Sequence, residues 1–230
     1  MLDWRRPLRV CLISAPPDPS HGWGRYAREL TLALCRAGAS VSMITGLDAA
    51  PVADLPIDPN DYHRILPSIM HPKRFNSARL LAAAGPVRAL TESADIVHVT
   101  SEPYLLTCTR VRRPLVTTAH GSYAPLLLKR PVIGRLYAVL LRRGQVVCVS
   151  SYTRSLLEPL LSVTSTGRLR VIPNGVDVTS VREPGAPVAR RGPTVLSIGQ
   201  LKPRKGFHIL ARAMAEVRRA VPDAQAVFVG

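Results

Sequence analysis

The sequence predicts an α/β fold, a parallel sheet with helices on both faces, and three observations lead there. Short β-rich runs alternate with amphipathic helical segments nearly throughout. The runs are apolar almost without interruption, as strands covered on both faces are. Each is followed by turn residues and then a helix-like stretch, the repeat of successive βα units. With 230 residues, 47% hydrophobic and 20% charged, the chain holds enough for one or two such domains.

The elements follow in order. Leu8 to Ser14 reads as a first strand. Arg5, Arg6 and Arg9 give it the look of a signal peptide, but the apolar part is too short and Pro16-Pro17 ends it. Trp23 to Arg36 is a first helix with Ala27, Leu30 and Leu34 on one face; Gly38 ends it, and Val41 to Thr45 is a second strand. Asp95 to Thr100, Pro114 to Ala119 and Gln145 to Ser150 are further apolar strands. Ser150 or Ser151 caps a helix running toward Leu161, and Arg170-Val-Ile-Pro173 is the last strand of this region. Ligands of such sheets bind beyond the carboxyl ends of the strands.

Thr179 to Pro193, rich in Pro, Gly and Arg without periodicity, is a linker. After it come a strand over Thr194–Ile198, a helix over Gly206–Val221 with Ile209, Leu210, Ala213, Met214 and Val217 at helical spacing, and a parallel strand over Ala224–Val229. The domains are therefore expected at 1–178 and 194–230, joined by 179–193. The second piece is too small to bury a core of its own, since fewer than about 40 residues rarely fold unaided. Its strand edges and one helix face are expected to be exposed, so the 230-residue chain should self-associate.

Charge narrows the partners. Thirty-one Lys+Arg against 15 Asp+Glu give a net +16, which favours phosphate-bearing substrates, acidic membrane surfaces or nucleic acid. A general arginine richness accounts for such an excess equally well. Aromatics make up only 5% and do not alternate with basic residues, so no nucleic-acid partner is expected. Cys11, Cys35, Cys108 and Cys148 lie far apart with no Cys-x-x-Cys pair, which favours buried reduced thiols over disulfides or metal ligands. No stretch approaches the ~18 apolar residues of a spanning helix. Leu126 to Arg143 interleaves Lys129, Arg130, Arg135, Arg142 and Arg143 with apolar residues. That pattern suits either a membrane-contacting helix or a sheet-covering helix with a basic outer face, the commoner case.

Four segments carry candidate chemistry. Gly199-Gln-Leu-Lys-Pro-Arg-Lys-Gly206 stands between a strand and a helix, so it aims backbone N–H groups and the positive end of a helix dipole at an anion. It lacks the Gly-Lys-Ser/Thr order of a Walker loop. Pro19-Ser-His-Gly-Trp-Gly-Arg-Tyr26 joins the first strand to the first helix, and Gly22 and Gly24 let backbone N–H groups approach a phosphate there. An ordinary βα turn explains two glycines as well. Thr118-Ala-His-Gly-Ser-Tyr123 puts His120 just after a strand, where a lone His is more often structural than catalytic. Arg170-Val-Ile-Pro-Asn-Gly-Val-Asp177 places Asn174 and Gly175 in a turn.

Taken together, in their order and spacing along the chain, these segments resemble the retaining GT-B glycosyltransferases of the glycogen-synthase and phosphatidylinositol-mannosyltransferase type, glycosyltransferase family 4. The resemblance implies two Rossmann-like domains, the first complete and the second present only as a β-α-β start. It implies transfer of a sugar from a nucleoside diphosphate donor to a carbohydrate or lipid-linked acceptor, with retention and with neither metal nor cofactor. His120 would contact the transferred sugar, while Gly22, Gly24, Gln200 and Lys205 would meet the donor phosphates and Asn174 and Gly175 would form a hinge at the cleft. The chain departs from the family at His21, where a glycine is usual, and at Gln200, where an arginine is usual. Gln cannot supply a charge, which weakens stabilisation of the leaving group. Family segments for the base, the ribose and a sugar-contacting glutamate would lie beyond Gly230, so the alternative is a non-catalytic fragment that binds acceptor or membrane. The expected location is cytoplasmic, with an anionic inner membrane face as a further partner.

Overall fold

The computed structural model describes residues 6–50, 54–69, 75–121, 123, 131–161, 167–176, 178 and 192–230. The chain divides into two compact units, Met1–Gly175 and Val176–Gly230. Most of the expected linker, Asp177, and the Leu126 to Arg130 part of the basic segment lie outside the described residues.

In the first unit the strands are β1 (Arg9–Ile13), β2 (Ser40–Gly46), β3 (Tyr62–Leu66), β4 (Ile96–Val99), β5 (Leu115–Ala119), β6 (Gln145–Cys148) and β7 (Leu169–Val171). They form one sheet in the order β3-β2-β1-β4-β5-β6-β7, with every neighbouring pair parallel. The helices are α1 (Gly22–Arg36), α2 (Asn76–Ala82), α3 (Ala84–Thr91), α4 (Pro131–Leu141) and α5 (Ser151–Leu157). The order reverses at β1, whose two neighbours are β2 and β4, and such a switch point opens a crevice at the carboxyl edge.

Alternation along β1 builds the two faces. Val10 and Leu12 turn one way and pack with Val41, Met43 and the α1 residues Leu30 and Leu34. Cys11 and Ile13 turn the other way, into a larger core with Ile44, Val97, Val99, Leu105, Tyr137 and Leu140. Each fully buried Leu, Ile or Met contributes about 1.5–3 kcal/mol, so β1 needs covering on both sides. Cys11, Cys108 and Cys148 are buried free thiols and Cys35 is half-buried. Burial pushes the Cys11 and Cys148 thiols up to about 11, which makes both inert at neutral pH.

Four elements escape sequence pattern. β3 is a sheet edge whose Tyr62, His63 and Arg64 hide its strand character. α2 and α3 are short and adjoin at Ala83, with Gly85 and Pro86 in the first turn of α3. Between β4 and β5 lies a buried 3₁₀ helix over Glu102–Arg110, long for its kind. Its final carbonyls are held by Arg143, which donates through Nη1 to Cys108 O at 3.0 Å and Thr109 O at 3.3 Å and through Nη2 to Val111 O. Ser150, rather than Ser151, caps α5, accepting from Thr153 N at 3.1 Å.

The second unit holds β8 (Thr194–Ile198), α6 (Phe207–Ala220) and β9 (Gln225–Val229), with β8 and β9 parallel. Along α6 only Met214 is buried, while Ile209 stays 63% exposed. Ile198 and Leu201 are exposed at 70% and 74%, so much of this unit's apolar surface is uncovered. No helix among the described residues is long and apolar enough to cross a membrane.

The amino edge of the first sheet is closed by one carboxylate. Arg6 donates through Nη1 and Nη2 to Asp95 at 3.0 and 2.6 Å, and Arg9 N donates to Asp95 Oδ2 at 2.9 Å. The Arg6 side chain, and after it the Arg9 amide, pull the Asp95 carboxyl from 3.8 to about 2. The folded pKa is depressed, so this stabilisation is present above pH 3.8 and is lost as pH falls through about 2. In acid titrations followed by circular dichroism, Asp95→Asn should flatten the stability decline across that window; an unchanged profile would refute the assignment.

Candidate functional site

The carboxyl edge around the switch point gathers α1's head and the loop after β5. His21 caps α1 from an extended conformation, its Nδ1 accepting the Gly24 N–H at 3.0 Å while its carbonyl accepts from Arg25 N at 2.9 Å. An imidazole thus performs the work an Asx or Ser oxygen does at most helix starts. Gly24 is required by the loop's own packing, since a Cβ there would stand 2.2 Å from Asp18 O and 2.5 Å from Pro16 O. Around Gly22 a Cβ would meet nothing within 4 Å, so the space at the helix head is open to a ligand. The N–H groups of Gly22 and Trp23 stand at that head.

His120 follows directly on β5 at the same edge. Its backbone N–H and that of Gly121 donate to Glu102 Oε1 at 3.0 and 3.1 Å. Glu102 is fully buried at the start of the 3₁₀ helix after β4, so one carboxyl group ties together the ends of adjacent strands. Gly121 has φ +81°, and a Cβ there would lie 2.8 Å from Thr153 Oγ1, which makes glycine obligatory. The His120 ring places Nε2 3.0 Å from Thr100 O. A carbonyl only accepts, so Nε2 carries the proton and Nδ1 of the neutral ring is left as an acceptor. Burial pushes the His120 pKa below 6.5, and the Thr100 bond opposes it only in part, so the ring is neutral at neutral pH.

Tyr26 joins the two loops. Its ring meets His120 edge to face, with centroids 4.9 Å apart and planes at 85°. Its hydroxyl lies 3.1 Å from Thr118 Oγ1, which in turn is 2.8 Å from His98 Nε2. His98 sits on β4, and burial first, then the neighbouring His120, push its pKa down to about 4. Further out, Trp23 and Tyr123 meet edge-on at 6.3 Å.

Lys205 and Gln200 belong to the second unit. Both are exposed on the loop between β8 and α6. The aliphatic stem of Lys205 folds over Gly199, with Cδ and Cε 3.8 Å from where a Cβ would be. The loop is held by Lys202 N donating to Gln200 O at 2.7 Å and Lys205 N to Lys202 O at 2.9 Å, and the N–H groups of Phe207 and His208 stand at the head of α6. Asn174 and Gly175 are exposed after β7, where the first unit ends. Of the basic segment, α4 buries Tyr137, Ala138, Leu140 and Leu141 and turns Arg135 outward, the pattern of a sheet-covering helix. Among the described residues no three His, Cys, Asp or Glu side chains cluster as metal ligands would.

Sequence reasoning passed over Glu102, His98 and Thr118. The available signals were a carboxylate directly after a strand and one imidazole in an otherwise apolar strand. Removing the Glu102 side chain leaves two N–H groups without their acceptor, at about 1–3 kcal/mol each where buried. Glu102→Ala should therefore lower the unfolding free energy of the first unit by about 2–4 kcal/mol in urea titrations, whereas a loss under about 0.5 kcal/mol would show that the tie is dispensable.

Comparison with known proteins extends this geometry. The sequence matches Glycosyltransferase Family 4 over residues 20–180, a span that contains α1, His98, Glu102 and His120. No curated protein sequence matches the chain. Among solved structures, HepE from Anabaena in complex with UDP and glucose is 18% identical with TM-score 0.68, covering 96% of this chain and 60% of its own. A glycosyltransferase from Rickettsia africae is 18% identical with TM-score 0.58, covering 93% and 58%. The catalytic domain of starch synthase IV from Arabidopsis thaliana, bound to ADP and acarbose, is 16% identical with TM-score 0.64, covering 98% and 68%. The chain thus spans about three fifths of the length of the first two. Their likeness identifies the architecture as GT-B, and the sequence match over most of the chain identifies the lineage: the chain belongs to Glycosyltransferase Family 4.

Proposed function

We propose that the protein transfers a sugar from a nucleoside diphosphate donor to a carbohydrate or lipid-linked acceptor, with retention of anomeric configuration and without metal or cofactor. The observation that carries this reading is the meeting of His120 with the head of α1 at the switch-point edge of a Family 4 chain. UDP in HepE and ADP in starch synthase IV support a nucleotide donor. In this reading Nδ1 of His120 accepts a hydrogen bond from a hydroxyl of the sugar. The helix head at Gly22 stabilises charge on the departing diphosphate, which then takes the acceptor proton on the same face; in the second unit Lys205, beside the helix head at Phe207, is the proposed donor-phosphate contact. Gln200 donates a neutral hydrogen bond where the family usually has an arginine. Asn174 and Gly175 serve as the hinge. An anionic membrane face at the cytoplasmic side is the proposed setting of a lipid-linked acceptor, approached through the charge excess of +16.

One observation favours a narrower reading for these 230 residues taken alone, a fragment that binds acceptor without turnover: the apolar surface of β8, α6 and the loop between them is largely uncovered. The two readings separate on one measurement, nucleoside diphosphate release from UDP-, ADP- and GDP-sugars. The protein as made from its gene should release diphosphate in the presence of acceptor, and release from none of these donors would overturn the transferase reading. In that protein His120→Ala should lower kcat/KM about tenfold or more, the worth of about 1.4 kcal/mol in the transition state. Lys205→Ala should chiefly raise the donor KM, because its contact is made to the phosphates in ground and transition state alike. A Lys205→Ala enzyme with unaltered donor KM would remove Lys205 from the site.

A further inference from the structure

His98 occupies a position that sheet packing would fill with an apolar side chain. In register across β2, β1, β4 and β5 stand Met43, Leu12, His98 and Val116, which share one face of the sheet. Among these four His98 alone is polar, and the row ends at the sheet edge with Tyr62 on β3. A leucine or phenylalanine would fill the space without removing an imidazole from water, a desolvation that needs a good hydrogen bond to offset it. The bond His98 makes is to Thr118 Oγ1, two residues beyond Val116 on the neighbouring strand. Thr118 is fully buried, and its hydroxyl, with one proton and two lone pairs, serves His98 and Tyr26 together.

Tyr26 comes from α1, a different layer of the molecule, and its ring is the one that meets the His120 ring edge to face. The Thr100 carbonyl and Glu102 fix the Nε2 corner and the backbone of His120. The Tyr26 ring adds a third restraint, made against the body of the imidazole rather than its backbone or its Nε2. Tyr26 is held at its far end by Thr118, and Thr118 by His98.

We propose that His98 is a positioning residue, which acts through the Thr118 hydroxyl and the Tyr26 ring to fix the orientation of the His120 imidazole. The bearing on sugar transfer rests on the function proposed above; the orientation itself does not, and it is measurable without turnover.

The test uses histidine-ring ¹⁵N spectra of the whole chain together with the Tyr26 ring signals. In the parent protein His120 should show a single Nε2–H tautomer. His98→Leu and Thr118→Val should each shift the His120 ring nitrogens toward the average of a mobile imidazole and speed flipping of the Tyr26 ring. The combined variant should add little, because both changes break one chain. His98→Gln, whose Nε2 stands in for that of imidazole, should restore the parent spectrum. A structural role alone predicts loss of stability with His120 unmoved, so unchanged His120 signals in a folded Thr118→Val protein would overturn the proposal. Thr118→Val also decides the matter if His98→Leu fails to fold. In a turnover-competent enzyme His98→Leu should lower kcat roughly 3- to 30-fold, within the range of coupling between contacting residues, with donor KM little changed. Absence of transfer in the parent protein would remove the proposed function and leave the spectral result to stand or fall separately.

Discussion

Burying a carboxyl group under the carboxyl edge of a parallel sheet is expensive unless donors are already aimed at it, and in this molecule they are. Glu102 stands at the end of β4 and accepts the N–H groups of His120 and Gly121 at the end of β5. With that tie the loop can run close enough to α5 that Thr153 leaves no room for a side chain at position 121. The left-handed turn at Gly121, the seating of His120 Nε2 on Thr100 and the approach of Tyr26 all presuppose a loop pinned at this point. The backbone of the His120 loop is fixed here by one buried acceptor and two consecutive amides.

The two sides of the crevice are built by different physics. On the β5 side, backbone groups are fixed by a buried side chain. On the β1 side, the chain turns so tightly between Pro16 and Gly24 that the carbonyls of Pro16 and Asp18 occupy the place of a Cβ, and His21 caps the helix from within the turn. A glycine at position 21 would leave the Gly24 amide for a ligand; the imidazole takes that amide and leaves those of Gly22 and Trp23 at the helix head. The departure from the family pattern at His21 therefore changes which amides can meet an anion.

Legibility of the fold followed burial. β1, β2, β4, β5 and β6 are apolar runs flanked by turns, and their sequence announces them to within a residue or two of the observed bounds. The edge strand β3 carries His63 and Arg64 where a central strand would carry Val or Ile, so its pattern falls below recognition. α2 and α3 are each too short to show a helical period. In the site, His120 and the glycines of the first loop stand out because they sit immediately after strands. Glu102, Thr118 and His98 do not, because their significance lies in partners about 18–92 residues away that only the sheet order brings together. The same limit applied to Arg143, whose charge suggested a surface role and whose guanidinium in fact closes the end of a buried 3₁₀ helix.

The central place of β1 has a consequence for how the chain is made. Its first neighbour, β2, follows after one helix, but its second, β4, begins only at Ile96, and the Asp95 and Ser101 side chains that bond Arg9 N and Ala15 N are each 86 residues downstream. A nascent chain that has not yet reached β4 holds β1 with one bare edge and with Cys11 and Ile13 uncovered on the face that the later helices fill. Loop closure over that distance must be met before the pairing returns any free energy, which makes the middle of the sheet the last of its left half to close. During synthesis β1 thus emerges well before the strand that completes it, and through that interval its bare edge is exposed to capture by other unfinished strands.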